Sequence, residues 1–290
     1  MYFAVDPCNA IQMTDAVACA IEKRPDMKWF TLVDSAFDAD SKNKLTFDKK
    51  TCLYDSDELY ELLDVSPYLL ELPVQTDALR SKLLSLARHR KNRPMLSFVA
   101  SPYSAVEIVN HWKRLVNVKG VDGAEFILRF ADTRILEVLP TAPDTALWDA
   151  LSAPVTEWLY IDRAGTISSA KIGQVNTYLD TADDITLSDE QFGFLVSSGV
   201  PDYVINIIER DHPELLPSHD HAGFYAKIAN VCTFGTEQGI EQFRDIVSLA
   251  LYSLVSEQNV RDDTSLHSLL SSSWKPGALI SSLLSLMDGE

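Results

Sequence analysis

The chain has 290 residues, of which 46% are hydrophobic and 23% are charged, and it carries a formal net charge of −17. This composition is typical of a globular protein rather than a fibrous or disordered one, and the length allows one large domain or two ordinary ones. Residues 166–290 hold 6 basic and 18 acidic side chains. Such an acidic surface repels phosphate backbones and argues against nucleic acid as a partner, whereas it would attract a basic protein surface.

Neither a membrane segment nor a signal peptide is predicted. No apolar run reaches the roughly 18 to 20 residues that a bilayer-spanning helix needs, so no membrane partner is expected. The N-terminal stretch lacks a basic start, and Asp6, Asp15 and Glu22 interrupt its apolar residues, which is unlike a secretory signal. The four cysteines lie far apart without a Cys-x-x-Cys pair, a spacing that fits neither a zinc ribbon nor a disulfide framework. We therefore expect a cytoplasmic protein.

Strand-like and helix-like segments alternate through residues 1–175. Apolar runs rich in β-favouring residues predict strands at 26–37, 68–72, 94–101, 124–130 and 154–162. Periodic apolar residues predict helices at 56–63, 76–91 and 104–116. The turn residues of VKGVDGAE (118–125) predict a hairpin, which would make the sheet mixed. Together these elements predict an α+β or α/β lobe with a mixed β-sheet covered by helices.

Residues 176–290 are predicted to form an all-α lobe, after an acidic and polar boundary segment at 178–188. Ser188 and Gln191 have the spacing of a capping box, which marks the start of a helix. The apolar stripe from Ile240 to Leu254 predicts an amphipathic helix of about five turns.

Two further apolar stripes end the chain, at 266–270 and 279–287, and Pro276-Gly277 separates them. A terminal helix after such a break can undock or move onto a partner. The last stripe is therefore the best candidate for exposure among the apolar stripes, and it supplies three candidate partner contacts: Leu279, Leu283 and Met287.

The sequence predicts no catalytic residues, no metal site and no cofactor. It contains no Gly-x-Ser-x-Gly, no phosphate-binding glycine loop and no His-Glu-x-x-His motif. The nearest approach to a metal cluster is RDHPELLPSHDHAGF (210–224), where His219 and His221 could bind a metal in a hydrolase. A polar loop in which Asp220 caps a helix is the preferred interpretation.

The stretch GAEFILRFADTRIL (123–136) places Arg129, Asp132 and Arg134 beside an apolar strand. Arg129 lies on the mixed face of that strand, where a carboxylate could hold it in a forked pair. Asp132 could cap a helix that begins near Thr133. These are structural roles, since no nucleophile or second titratable group lies nearby in the sequence.

Four blocks resemble, in order, the motifs of one bacterial family: YELLDVSPYLLEL (60–72), SPYSAVEIVNHWKRLVNV (101–118), DGAEFILRFADTRILEVLP (122–140) and PVTEWLYID (154–162). The family consists of effector adaptors (chaperones) of the type VI secretion system, and the resemblance covers about residues 27–165. The positions that match the family motifs are Pro67, Tyr68, Leu69, His111, Arg114, Gly123, Arg129, Phe130, Asp132 and Arg134. Ala131 stands where the family usually has an aromatic residue, and Thr133 where it usually has proline.

The resemblance implies a role without catalysis. Such adaptors bind a cognate toxic effector in the cytoplasm and help to load it onto the VgrG spike or its PAAR extension. The implied structural motif is Pro67, Tyr68, Gly123, Arg129, Phe130 and Asp132. Candidate partner contacts are His111, Arg114 and Arg134, and Arg134 or Arg114 is expected to be free for docking.

Two other functions stay open at this point. An immunity-type inhibitor or scaffold would use the acidic surface to cover a basic partner. A metal-dependent hydrolase would use the loop from His212 to His221. The order of the four motifs favours the adaptor.

Overall fold

The computed structural model describes residues 2–39, 49–173, 185–256, 258–272 and 274–288. Contacts divide the chain into two compact units. The first, here the sheet unit, is Val5–Ser197, and the second, here the helical unit, joins Met1–Ala4 to Ser198–Glu290. The domain boundary predicted at residues 175–176 lies outside the described residues.

The strands found in the described ranges belong to the sheet unit. They are β1 (Lys28–Val33), β2 (Thr51–Cys52), β3 (Tyr68–Glu71), β4 (Leu96–Ser101), β5 (Asn117–Gly120), β6 (Glu125–Ile127), β7 (Glu157–Ile161), β8 (Ile167–Ala170) and β9 (Thr186–Leu187). Six of them form a larger sheet in the order β2-β3-β1-β4-β7-β8, and three form a small sheet in the order β6-β5-β9.

The first five α-helices belong to the sheet unit, and α6 contributes residues to both units. They are α1 (Ala10–Lys23), α2 (Thr76–Arg90), α3 (Ala105–Val116), α4 (Thr133–Leu136), α5 (Ala146–Ser152), α6 (Asp189–Asp211), α7 (His221–Glu237), α8 (Phe243–Val255), α9 (Thr264–Ser271) and α10 (Leu279–Asp288). Helix α3 opens with a complete capping box between Ser104 and Glu107, which satisfies two backbone N–H groups that a helix start leaves unpaired.

Helices cover both faces of the larger sheet. Successive side chains of a strand point to opposite faces, so a single strand contributes side chains to the core on each side. On β1, Trp29 and Val33 pack in the core that includes residues of α1 and α2. Phe30 and Leu32 pack in the other core, with α3 and α5. The central strand β4 is buried along its whole length, as expected for a strand between two helical layers.

The helical unit has a separate core. It is built from α6 to α10, with buried side chains that include Val204, Ile228, Leu249, Leu266 and Leu283. Each of these lies on the inward stripe of its helix, which is the arrangement that an amphipathic pattern predicts.

Two buried carboxylates fix helix starts in this unit. Asp245 of α8 accepts hydrogen bonds from the backbone N–H groups of Gly277 and Leu279, where α10 begins. Asp263 caps α9 and also accepts a hydrogen bond of 2.6 Å from the Tyr252 hydroxyl. Each carboxylate thereby satisfies donors that the first turn of a helix leaves without partners.

The predicted fold class is confirmed, with a helix-covered β lobe followed by a helical region. Every pairing in the larger sheet is antiparallel. The mixed pairing lies in the small sheet, where β5 is antiparallel to β6 and parallel to β9. The predicted hairpin between β5 and β6 is confirmed.

Three predicted elements have different bounds in the structure. An α-helix was predicted at residues 56–63, whereas the structure has a 3-10 helix at Tyr60–Val65. The strand predicted at 124–130 covers only Glu125–Ile127. The long helix predicted from Ile240 begins at Phe243, because the backbone of Gln242 is extended (φ −78°, ψ 121°) and this residue is the N-cap.

Candidate partner-binding site

The hairpin between β5 and β6 leads into the core motif. Gly123 has a φ of +81° and its N–H donates to the Gly120 carbonyl at 2.9 Å. Only glycine adopts this backbone region without steric cost, so Gly123 sets the turn. Beyond β6, Phe130 is buried against Trp112 of α3, with the ring centroids 5.3 Å apart.

Arg129 is paired with Asp34, which directly follows β1. The Arg129 Nη2 atom donates to Asp34 Oδ2 at 2.7 Å. The predicted carboxylate partner is thus present, but it is held through one hydrogen bond and not through the predicted fork. The Asp34 side chain is fully buried, whereas 43% of the Arg129 side chain is exposed. Asp34 also accepts a hydrogen bond of 3.0 Å from the Ala36 N–H and so caps the 3-10 helix at Ser35–Asp38.

The pKa values of this pair are shifted by burial and by charge. Burial raises the pKa of the Asp34 carboxyl group above its ordinary value, and the positive charge of Arg129 only partly opposes that rise. Burial also lowers the pKa of Arg129, but the negative charges of Asp34 and Asp132 outweigh it and leave that pKa raised. The two pKa shifts have opposite implications for an ion pair. The raised pKa of Asp34 disfavours its charged form, whereas the raised pKa of Arg129 favours the charged guanidinium. The contribution of the pair to stability depends mainly on Asp34, because water cannot reach the buried carboxylate to replace Arg129 as its partner.

We expect Arg129→Ala to lower the free energy of unfolding by about 1 to 3 kcal/mol, because Asp34 would stay buried without its ionic partner. The substitution removes the positive charge that opposes the effect of burial, so the pKa of Asp34 should rise further above its ordinary value of 3.8. The folded state then keeps a proton that the unfolded state releases, so stability falls as the pH rises above that value. Urea denaturation at about pH 5 and about pH 7.5 measures the difference, and the loss should be larger at the higher pH.

A matched control is Arg80→Ala, which breaks an exposed pair with Asp15. Exposed pairs contribute about 0 to 1 kcal/mol. Equal losses in Arg80→Ala and Arg129→Ala would contradict the role of Arg129 as the partner of a buried charge.

Arg134 is bound to Asp132 rather than free for docking. The Arg134 Nη2 atom donates to Asp132 Oδ2 at 2.7 Å, and its Nε donates to both carboxylate oxygens. The Asp132 side chain also accepts from the Arg134 backbone N–H at 3.1 Å, so the predicted helix cap is confirmed. The expectation named Arg134 or Arg114 as free for docking, and the first of these alternatives is corrected, because Asp132, two residues earlier in the chain, holds the Arg134 guanidinium.

Phe37 connects the two arginines. The Arg129 guanidinium carbon lies 5.3 Å from the centroid of the Phe37 ring, and that of Arg134 lies 5.8 Å from it. Both distances are within the range of a cation–π contact. The ring therefore holds two positive side chains at the surface beside the ends of β1 and β6.

A third buried carboxylate lies next to this ring. Asp38 accepts hydrogen bonds from His89 Nε2, at 2.7 Å, and from Arg93 Nη1. His89 was predicted only to complement the dipole of α2, and its contact with Asp38 adds a tertiary role. Asp34, Phe37 and Asp38 were not predicted as site residues. Asp34 lies inside the strand predicted at 26–37, whereas the observed strand ends at Val33 and Asp34 caps the 3-10 helix that follows.

His111 is buried, so the structure corrects its predicted role as a partner contact. Its Nε2 donates to the Ala150 carbonyl at 2.7 Å, which assigns the proton to Nε2. Its Nδ1 then accepts from Arg114 Nη2 at 3.3 Å. Arg114 is exposed, and its contact with a partner stays a prediction.

Pro67 and Tyr68 are buried at the start of β3. The Pro67 carbonyl accepts a hydrogen bond from the Leu53 N–H at 2.9 Å and another from the Ser66 hydroxyl at 2.7 Å. These contacts place Pro67 and Tyr68 beside the edge strand β2 of the larger sheet, and neither of the two side chains is exposed.

The last apolar stripe, which was the best candidate for exposure, faces the core of the helical unit, and the structure corrects that interpretation. Leu279 and Leu283 are buried, and Met287 is half-buried against the same core. The adjacent stripe of α10 carries the exposed residues, and 53% of Leu284 and 41% of Ile280 are accessible. The helix has apolar residues on both stripes, and the more continuous one packs inward.

The histidine loop does not form a metal site within the described ranges. His221 Nδ1 accepts a hydrogen bond of 2.8 Å from the Tyr2 hydroxyl, while His212 lies 3.5 Å from Glu214. No group of three His, Cys, Asp or Glu side chains in the described part of the chain could hold a metal ion. Asp220 caps α7 through the Gly223 N–H, as predicted.

The family model described as "Domain of unknown function (DUF4123)" matches residues 29–150. This range lies within residues 27–165, where the motifs placed the resemblance, and it includes both Asp34 and Arg129. No curated protein and no solved structure showed a significant match. Among the helices that the structure describes, none is long and apolar enough to span a bilayer.

Proposed function

We propose that this chain is a cytoplasmic adaptor that binds a cognate type VI secretion effector and promotes its loading onto a VgrG or PAAR spike protein, without catalysing a reaction. The observation that carries the proposal is the family match over residues 29–150. That family is associated with type VI effector adaptors. The match includes the core motif, and it therefore covers the residues that organise the surface described above.

The chemistry of the core motif supports binding rather than turnover. Arg129 and Arg134 are engaged by carboxylates that also cap backbone N–H groups. The contact with Asp34 fixes the position of the exposed Arg129 side chain before a partner arrives, and this lowers the entropy lost on association. The net charge of −17 supports a partner with a basic surface, because opposite charges accelerate encounter.

The test is a tagged pull-down from the native bacterium, with the retained proteins identified by mass spectrometry. We expect one large toxin-like effector, with a spike protein present either directly or through that effector. Deleting the gene should then lower secretion of the effector while leaving its transcription unchanged. An effector that is secreted equally well without this chain would overturn the proposal.

A toxicity assay distinguishes the adaptor from an immunity-type inhibitor. An adaptor needs only to bind and deliver its effector, whereas an inhibitor must suppress the effector's activity. Co-expression of the effector with this chain should therefore leave cells intoxicated. Full protection would instead favour the inhibitor, whose acidic surface would cover a basic active site.

A further inference from the structure

Strand β6 is the outer strand of the small sheet, since the strand order is β6-β5-β9. Two backbone hydrogen bonds lie at the two ends of its pairing with β5. The Gly120 N–H donates to the Ala124 carbonyl, and the Leu128 N–H donates to the Val116 carbonyl, both at 2.8 Å. Because they flank β6 at its two ends, these bonds determine which of its residues direct their N–H and C=O groups toward β5.

Hydrogen-bonded and non-hydrogen-bonded pairs alternate along an antiparallel ladder. Phe126, opposite Val118, is therefore the residue of β6 that exchanges hydrogen bonds with β5. Glu125 and Ile127 belong to the alternate pairs, so their N–H and C=O groups point away from β5. The edge thus presents two donors and two acceptors along three residues.

Nothing within the described residues is hydrogen-bonded to these outward groups. All three residues of β6 are exposed, with 38% of Phe126 and 40% of Ile127 accessible. Natural edge strands are usually protected by lysine, proline, a bulge or a covering segment, because an open edge readily pairs with another chain. β6 has no lysine or proline and instead carries two exposed apolar side chains.

The charges at this edge indicate what would pair with it. Glu125 lies 3.8 Å from Lys119 on the inner side, across the β5–β6 ladder. A strand added on the outer side would place its own side chain directly beside the Glu125 carboxylate, where a basic residue is favoured and an acidic one is disfavoured. The residue of the added strand that lies beside Ile127 should be apolar. The residue between these two, whose side chain would lie on the same face as that of Phe126, should be apolar as well.

We propose that β6 accepts an extended basic–apolar segment of the partner protein by β-strand addition. This inference rests on the proposed function, for which it names the chemistry of the docking segment. The outward N–H and C=O groups would supply affinity, and the side chains beside Glu125 and Ile127 would supply specificity.

The first experiment uses the acetylated, amidated peptide Thr-Lys-Val-Val-Val-Lys-Thr, which fits the edge in either strand direction. Hydrogen exchange of the full chain should show unprotected Glu125 and Ile127 amides, which become protected when the peptide is added. The matched peptide with Glu in place of both Lys residues should protect them less. Protection that is absent with the basic peptide, or equal with both peptides, would overturn the inference.

The second experiment removes an outward donor from the strand. Ile127→Pro deletes an N–H that β5 does not use, and an edge strand tolerates proline at such a position. Peptide binding should weaken about ten-fold or more, the effect of losing one backbone hydrogen bond and adding a steric clash. Ile127→Thr is the matched control, because it keeps the donor and should retain most of the binding. Unchanged thermal unfolding in both variants shows that the hairpin is intact, and equal binding in both would count against strand addition.

The same variants separate this inference from the proposed function. If the unaltered chain retains no effector in the pull-down, the adaptor role fails, whatever the peptide does. If it retains the effector and Ile127→Pro retains it equally well, then only the strand addition fails.

Discussion

Leu283→Ala should lower the free energy of unfolding of the helical unit by about 2 to 5 kcal/mol, because it leaves a cavity in a packed core. Leu283 is 1% exposed and belongs to the core shared by α6 to α10. Its neighbour Leu284 is 53% exposed. Leu284→Ala should therefore change the same free energy by less than about 0.5 kcal/mol. Urea denaturation followed by circular dichroism measures both.

The comparison decides which stripe of α10 is available to a partner. The two substitutions remove the same atoms from adjacent positions of one helix, so helix propensity affects them equally. Comparable losses in both variants would mean that α10 packs differently from the arrangement described here.

Phe130→Ala should have an effect of similar size in the sheet unit, about 3 to 5 kcal/mol. Phe130 is buried in an edge-to-face contact with Trp112 and with Trp158, at centroid distances of 5.3 and 6.3 Å. Such aromatic pairs add about 0.5 to 1.5 kcal/mol to the effect of burial. The midpoint of urea unfolding, followed by tryptophan fluorescence, measures the loss.

The control for Phe130 is Phe126→Ala, on the same short segment. Phe126 is 38% exposed and packs against Phe192 with the ring centroids 4.8 Å apart. Its removal should cost about 1 kcal/mol. A loss in Phe126→Ala that matched the loss in Phe130→Ala would show that burial does not distinguish these two rings.

Much of the fold could be predicted from local patterns. Within the helix predicted at 76–91, the stripe of Leu79, Leu83 and Leu86 predicted α2 almost to its ends, because the three- and four-residue spacing continues over more than two turns. The turn around Gly123 predicted the β5–β6 hairpin. Short segments were harder to predict, and residues 56–63 show why, because a few apolar residues at helical spacing also suit a 3-10 helix.

The candidate site was predicted only in part, because the residues that contact one another in it are far apart in the sequence. Asp34 lies 95 residues before Arg129, and no periodicity links the two positions. The sequence could predict that Arg129 needs a carboxylate, but not which one. The error at α10 has a different cause. Leu279 and Leu283 form one apolar stripe while Ile280 and Leu284 form the next, and a pattern with two apolar stripes does not indicate which of them faces inward.

The hydrogen bonds of Asp245 have a consequence for how the helical unit comes apart. This buried residue of α8 accepts from the Gly277 and Leu279 N–H groups, so it joins the start of the last helix to a helix about thirty residues earlier. If α10 detached alone, the carboxylate and both donors would lose their partners together, in addition to the buried leucines. Detachment of the end of the chain should thus be coupled to melting of α8. Helices α8 and α10 should then lose their structure in one cooperative transition.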